Sequence, residues 1–315
     1  MLKRRAFLTS LGAGGLIFCD PSLAGSTGHH PVRNGRRTAA ALPSDAPALA
    51  TLSASTRQQI SHLVSIAPHR SRQERIVLIS QAMKGTPYLA QPLIGSATVP
   101  EELVLSWRGV NCMTFVEIVL AASLSQDVEQ FIHALIATRY SHHHVTFRER
   151  RHFLSDWLHG TPVLCHDLSP DFPYARHVEK TLNLKLPSSD QNGPASPERP
   201  QATAHEARTP PTGTDRYLPD LPLRKRLITY LPTQPFLNDL KAGGIHGRIR
   251  NGDVIGIYSP LPGLDVFHIG LAIWQNHGLY FRNASSLPEH RYVVDSPLDD
   301  YVRQRRGLII YRATP

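Results

Sequence analysis

The sequence predicts an α+β fold in which N-terminal helices pack on an antiparallel sheet. Apolar residues recur at helical spacing from Thr56 to about Tyr140. After Asn251 the period changes to short apolar runs separated by turns. No apolar run is long enough to cross a bilayer. Helices first and strands afterwards indicate α+β rather than alternating βαβ units. At 315 residues the chain is long enough to bury a substantial core.

Residues 1–24 read as an export signal. Arg4 and Arg5 with Phe7 and Leu8 resemble a twin-arginine signal, the apolar run at 11–18 is short, and Ser22-Leu23-Ala24 offers small residues for cleavage. The expected location is the periplasm. Cys19 opens a lipoprotein alternative, which the bulky Phe18 before it disfavours. Residues 25–55, rich in Ala, Ser, Pro, Gly and Thr, read as a disordered linker, and residues 56–315 as one catalytic domain.

Within that domain Ile60, Leu63 and Val64 form one helical face, and Ile76, Leu78 and Ile79 another. Gly85-Thr86-Pro87-Tyr88 is a turn. Residues 108–120 are the stretch around which the chain is organised. Asn111 is a favourable N-cap, Cys112 takes the first helical position, and Phe115, Val116, Val119 and Leu120 bury one face. A thiol at a helix N-terminus feels the positive end of the dipole, which favours the nucleophilic thiolate. The plain alternative is a core cysteine that starts a helix. A further helix runs from Asp127 to about Tyr140. A polar-aromatic cluster occupies residues 141–159, and residues 186–215 read as a disordered insertion, being too poor in apolar side chains to order themselves.

Strands are expected at 253–258, 266–274, 279–283 and 291–294, then a short helix capped by Ser296, then a strand at 307–311. On the second strand Phe267, Ile269, Leu271 and Ile273 share one face and read as core. His268 lies on the other, beside Gly270 and Ala272, which leaves room for an approaching group such as the Cys112 helix. A cysteine–histidine pair needs a third group to hold the imidazole. Asn283, one hairpin away, can accept from the ring; Ser285 and Asp265 compete for that place, and Asn283 can equally be a strand-end cap.

The formal charge of +9 suits anionic partners, but there is no block of five or more basic residues and no aromatic-basic interleaving, so nucleic-acid binding has weak support. There are 17 histidines, including His142-His143-His144, yet no metal-site spacing, so no metal or cofactor is expected. Cys112 and Cys165 would both remain after signal removal. They can pair as a disulfide, which would make Cys112 structural, although Val163 and Leu164 suggest that Cys165 is a buried, inert thiol.

Eight pieces in sequence order carry a family resemblance. They are Gly85 to Tyr88; Glu102-Leu103-Val104 with Arg108; Asn111 to Glu117; Arg139-Tyr140; Arg151 to Trp157; Asn251 to Ile255; Gly263 to Gly270; and Asn283 to Ser286. Through them the chain resembles the NlpC/P60 papain-like cell-wall hydrolases, and among these the DUF1460 family of N-acetylmuramoyl-L-alanine amidase-like proteins. Two positions depart: Asn111 and Met113 stand where the family usually has Asp and Thr. The resemblance implies a papain-like NlpC/P60 fold acting on peptidoglycan fragments as a monomer without stable membrane insertion. It implies cleavage of the muramoyl–L-alanine amide of anhydro-muropeptides. The alternatives are a γ-D-glutamyl–diaminopimelate endopeptidase and a non-catalytic muropeptide binder. It assigns Cys112, His268 and Asn283 to catalysis. Tyr88, Arg108, Arg151, His152 and Asp156 become candidates for substrate binding, with surface salt bridges as the competing role for the charged ones. Trp157 is a candidate for stacking on a sugar, against the core role usual for tryptophan.

Overall fold

The computed structural model describes residues 52–185, 216–219, 221–276 and 278–314. The expected export signal, nearly all of the expected linker and the expected insertion at 186–215 lie outside the described residues.

Four helices form the N-terminal layer: α1 (Ala54–Val64), α2 (Arg72–Ala82), α3 (Cys112–Ser123) and α4 (Val128–Arg139). Each starts on a side chain that accepts an otherwise unpaired first-turn amide: Ser53, Ser71, Asn111 and Asp127. The first begins two residues before Thr56. Every residue of α3 after Cys112 is buried, as a helix apolar on all sides requires. Its far end is fixed by buried Arg75, whose guanidinium donates to the carbonyls of Ser123, Ser125, Val64 and Ile66 and so joins the C-terminal ends of α1 and α3.

The remaining elements are α5 (Asp156–His159), β1 (Cys165–Asp167), β2 (Arg176–Leu182), β3 (Arg224–Pro232), α6 (Thr233–Ala242), β4 (Val254–Tyr258), β5 (Val266–Gln275), β6 (Gly278–Ala284), β7 (Val293–Pro297), α7 (Leu298–Val302) and β8 (Gly307–Ala313). The strands form one antiparallel sheet in the order β2-β3-β8-β4-β5-β6-β7, with β1 also on β8. The last strands fall close to expectation except β7. Arg291 has φ 45°, outside strand geometry, so β7 starts later, and Ser296 pairs with Phe281 inside the strand instead of capping α7.

Side-chain alternation splits the core into two layers. Val254, Ile269, Leu271, Ile273 and Ile309 pack with α1–α4. Ile255, Ile257, Ala272, Phe281, Leu308 and Ile310 pack with α6 and α7. Two expectations about β5 are corrected here. Phe267 is 43% exposed rather than core, because Tyr258 pairs with Val266 and Ile257 with His268, which leaves Phe267 as the extra residue of a bulge. Helix α3 packs on the Ile269 side and not on the His268 side. The space beside Gly270 is taken across the strand, where a Cβ would lie 2.6 Å from the Phe281 ring and 3.0 Å from the Asn283 Cβ.

Among the described residues no helix is long and apolar enough to cross a membrane.

Candidate active site

Cys112 is placed by backbone pairing on the segment that leads into it. The Tyr88 N–H donates to the Arg291 carbonyl at 2.8 Å, and Val293 donates to Thr86 at 2.9 Å. On the other side Val110 donates to Pro87 and Leu89 to Val110, both at 2.9 Å. Residues 86–89 thus join the start of β7 to the approach of α3. The helix start is closed by a reciprocal pair: Thr114 N–H donates to Asn111 Oδ1, and Asn111 N–H donates to Thr114 Oγ1, both at 3.0 Å. Asn111 therefore serves as the cap.

Cys112 is the one half-buried residue of α3. Burial pushes its thiol up, against the pull of the backbone N–H groups of Ile269, Met113 and Cys112 itself. Desolvation thus opposes the thiolate-favouring effect expected of the helix start. The amide of Ile269 that faces the sulfur belongs to the residue next to His268.

The His268 ring Nε2 lies 2.9 Å from Asn283 Oδ1. The Asn283 Nδ2 donates to the Phe281 carbonyl at 3.1 Å, which fixes the amide with its oxygen toward the ring. An amide oxygen only accepts, so Nε2 carries the proton and Nδ1 of the neutral ring keeps its lone pair. Burial pulls the imidazole down to about 4; Asn283 opposes this and the Arg305 charge adds to it. Phe281 stands edge-on to the ring at 5.8 Å and Tyr301 stacks on it at 6.2 Å. The competing partners are engaged elsewhere: Asp265 accepts the N–H of Ser155 at 2.7 Å, and the Ser285 hydroxyl accepts from Leu287.

Two tyrosine–arginine pairs flank the centre. Arg291 lies over Tyr88 at 5.2 Å, and Arg305 over Tyr301 at 5.8 Å. Burial raises both phenols, Tyr301 to about 12, and charge on Cys112 would raise each further. Tyr301, Arg291 and Arg305 escaped the sequence reading. Arg108 is exposed, four positions before Cys112, and makes no hydrogen bond or ion pair with the described residues.

The other candidates do not join this centre. Arg151, His152 and Asp156 are buried, and Arg151 and Asp156 line a cavity of about 190 Å³ whose walls include neither Cys112 nor His268. The Arg151 guanidinium donates to the carbonyls of Pro162 at 2.8 Å and Asp156 at 3.2 Å. His152 packs edge-on against Phe147 at 5.4 Å, and burial takes its ring well below the usual range. The Asp156 carboxylate accepts the N–H groups of His152 and Phe153 at 3.1 Å and pairs with Arg224. Trp157 is fully buried. Cys165 is a free, buried thiol pushed up to about 12, and Cys112 is free as well. Among the described residues no group of three or more His, Cys, Asp or Glu could hold a metal ion.

A helix-start thiol faced by the amide of Ile269, and on the preceding residue a histidine held at Nε2 by an asparagine, are what this α+β scaffold presents. The chain belongs to the AmiA-like, N-acetylmuramoyl-L-alanine amidase-like family, whose model matches residues 78–308. It is similar to the crystal structure of a Legionella pneumophila protein of DUF1460, with 23% identity, a TM-score of 0.62 and coverage of 83% of this chain and 95% of that one. It is also similar to an N-acetylmuramoyl-L-alanine amidase of Bacteroides uniformis, with 25% identity, a TM-score of 0.56 and coverage of 78% and 99%. No curated protein matches the chain.

Proposed function

We propose that the chain is a papain-like, NlpC/P60-type cysteine amidase that hydrolyses the muramoyl–L-alanine bond of anhydro-muropeptides. Exported by its twin-arginine signal, it would act in the periplasm during peptidoglycan turnover. One observation carries the chemistry: Asn283 occupies Nε2 of His268, so Nδ1 is the basic nitrogen, while the Cys112 sulfur sits against the amide of the adjacent residue Ile269. The membership of an amidase-like family supports the substrate class.

In this reading the thiol and imidazole rest neutral, because burial raises the one and lowers the other. As the lactyl carbonyl arrives, Cys112 passes its proton to Nδ1 of His268 and sulfur attacks the carbonyl carbon. The backbone N–H of Cys112 helps to hold the oxyanion. Collapse breaks the C–N bond, and His268 returns its proton to the leaving alanine nitrogen. His268 then takes a proton from water, whose oxygen attacks the thioester. The products are a muramic acid carboxylate and a free peptide, and the thiol is restored. Asn283 holds the ring throughout, which is the orienting part asparagine plays in papain-like sites. Tyr88, whose phenol would feel charge on Cys112, and exposed Arg108, four positions before Cys112 in the chain, would bind substrate.

Mass analysis of anhydro-muropeptides incubated with wild type and with Cys112→Ser tests the reading. The expected products are anhydro-disaccharide and an intact stem peptide that begins with L-Ala, with none from the variant. Products retaining L-Ala–D-Glu on the sugar would instead identify a γ-D-glutamyl–diaminopimelate endopeptidase. Binding without turnover, unchanged in Cys112→Ala, would identify a muropeptide-binding protein.

A further inference from the structure

We propose that Arg305 holds a carboxylate of the substrate's leaving peptide, so that the Cys112 centre selects an acidic stem. The choice of ligand rests on the amidase reading above. Arg305 follows α7 in the turn before β8, and its main chain is fixed. Its N–H donates to the Val302 carbonyl and its carbonyl accepts from Thr233 Oγ1, both at 2.7 Å. The side chain is exposed and lies 5.8 Å from the centre of the Tyr301 ring, which stacks on the His268 imidazole at 6.2 Å. Tyr301 thus contacts both the guanidinium and the group that moves the proton.

Among the described residues no acid answers this charge. The Arg305 guanidinium has no hydrogen-bond or ion-pair partner there, and Asp299 and Asp300 of α7 both pair with Arg303, at 3.4 and 3.0 Å. Burial disfavours a charged His268 ring, and the Arg305 cation adds to that, against the Asn283 bond. In the reaction the ring must become positive when it takes the thiol proton, near a guanidinium of the same sign. A carboxylate on Arg305 removes that conflict, and its paired oxygens match the planar guanidinium fork. The leaving side is the place for it. His268 returns its proton to the alanine nitrogen, so the departing peptide lies by the imidazole, whose surroundings include Arg305. In a γ-linked L-Ala–D-Glu stem the D-Glu α-carboxylate is free. It lies within two residues of that nitrogen, roughly 7 Å of extended chain.

Titration calorimetry with the full Cys112→Ala chain tests the contact without turnover. The two ligands are anhydromuramoyl-L-Ala-D-Glu and anhydromuramoyl-L-Ala-D-isoglutamine, which differ only in that carboxylate. The acid should bind about tenfold or more tighter than the amide, the scale of a hydrogen bond to a charged group. Adding Arg305→Gln should remove the preference by weakening the acid alone, and Arg305→Lys should restore part of it. Equal binding of acid and amide, no binding of either, or an equal loss of both in Arg305→Gln overturns the proposal. Incubating wild type with the same two compounds judges the amidase reading separately. An acid preference in binding without cleavage keeps the carboxylate site and sinks the amidase. Cleavage of both at the same kcat/KM keeps the amidase and sinks the site.

Discussion

His268 and His152 are both pushed down by burial, yet their surroundings differ in kind. His268 is held through one nitrogen by a neutral amide, which sets the tautomer, and its chain neighbour touches a thiol. His152 sits among cations and carbonyls, with its ring packed on Phe147 and Nδ1 without a partner. The first environment leaves a basic nitrogen available for proton transfer. The second belongs to a buried charge network that joins α5 to β3. A depressed imidazole therefore does not by itself mark a reactive centre; the group within reach of its free nitrogen does.

The largest expected contrast between the two regions comes from their central residues. Cys112→Ala should reduce kcat by about a thousandfold or more, as loss of a covalent nucleophile does, while the melting midpoint moves little. Activity that survived this change would remove the distinction. Asp156→Ala should show the reverse. It strands Arg224 and two amides, so denaturant melts should reveal a loss of about 3–5 kcal/mol, the cost of breaking a buried pair, with kcat per folded molecule retained.

Asn283→Ala sharpens the role of the amide. We expect kcat to fall by about 10- to 100-fold, the scale of one lost orienting hydrogen bond in a site that depends on geometry. Since this bond favours the protonated ring, its removal should also move the acid limb of kcat/KM to lower pH. A merely structural asparagine would leave that limb in place.

The smallest effect is on stability against pH. Both imidazoles are lowered in the folded chain, so the unfolded chain binds protons more readily. For His268 the stabilising contribution is full above the ordinary value of 6.5 and is lost as pH falls from there toward about 4. Melting midpoints should drop across that window, and His268→Gln should flatten part of the slope. An unchanged slope would mean that the ring titrates normally.

Much of this was legible in the residues. Asn111 before Cys112 marked a helix start because capping is local chemistry. The alternation in 254–258, 269–273 and 307–311 marked strands whose faces point to different layers. Asn283 could be named because a single hairpin separates it from His268. Other parts depend on contacts between distant segments. The β2–β3 pair flanks residues 186–215 and carries exposed charges such as Lys225, so no apolar run announced it. The bulge at Phe267 is a matter of register with β4, invisible in either strand alone. Tyr301, on a helix of five residues, stacks on the imidazole in the layer away from α3. The stretch from Arg151 to Asp156 became a substrate-binding candidate through the family resemblance alone. Only the pairing with Arg224, a residue from another strand, shows how its carboxylate is used.

The central claim is that sulfur from Cys112 bonds to the muramoyl carbonyl while His268 moves the proton. Intact-protein mass spectrometry after rapid acid quench, followed by peptide mapping, reads that bond directly. The account predicts a transient adduct with the mass of the anhydro-muramoyl acyl group on the Cys112 peptide, and none in His268→Ala. Full turnover with no adduct, together with an undiminished rate in Cys112→Ala, would contradict it.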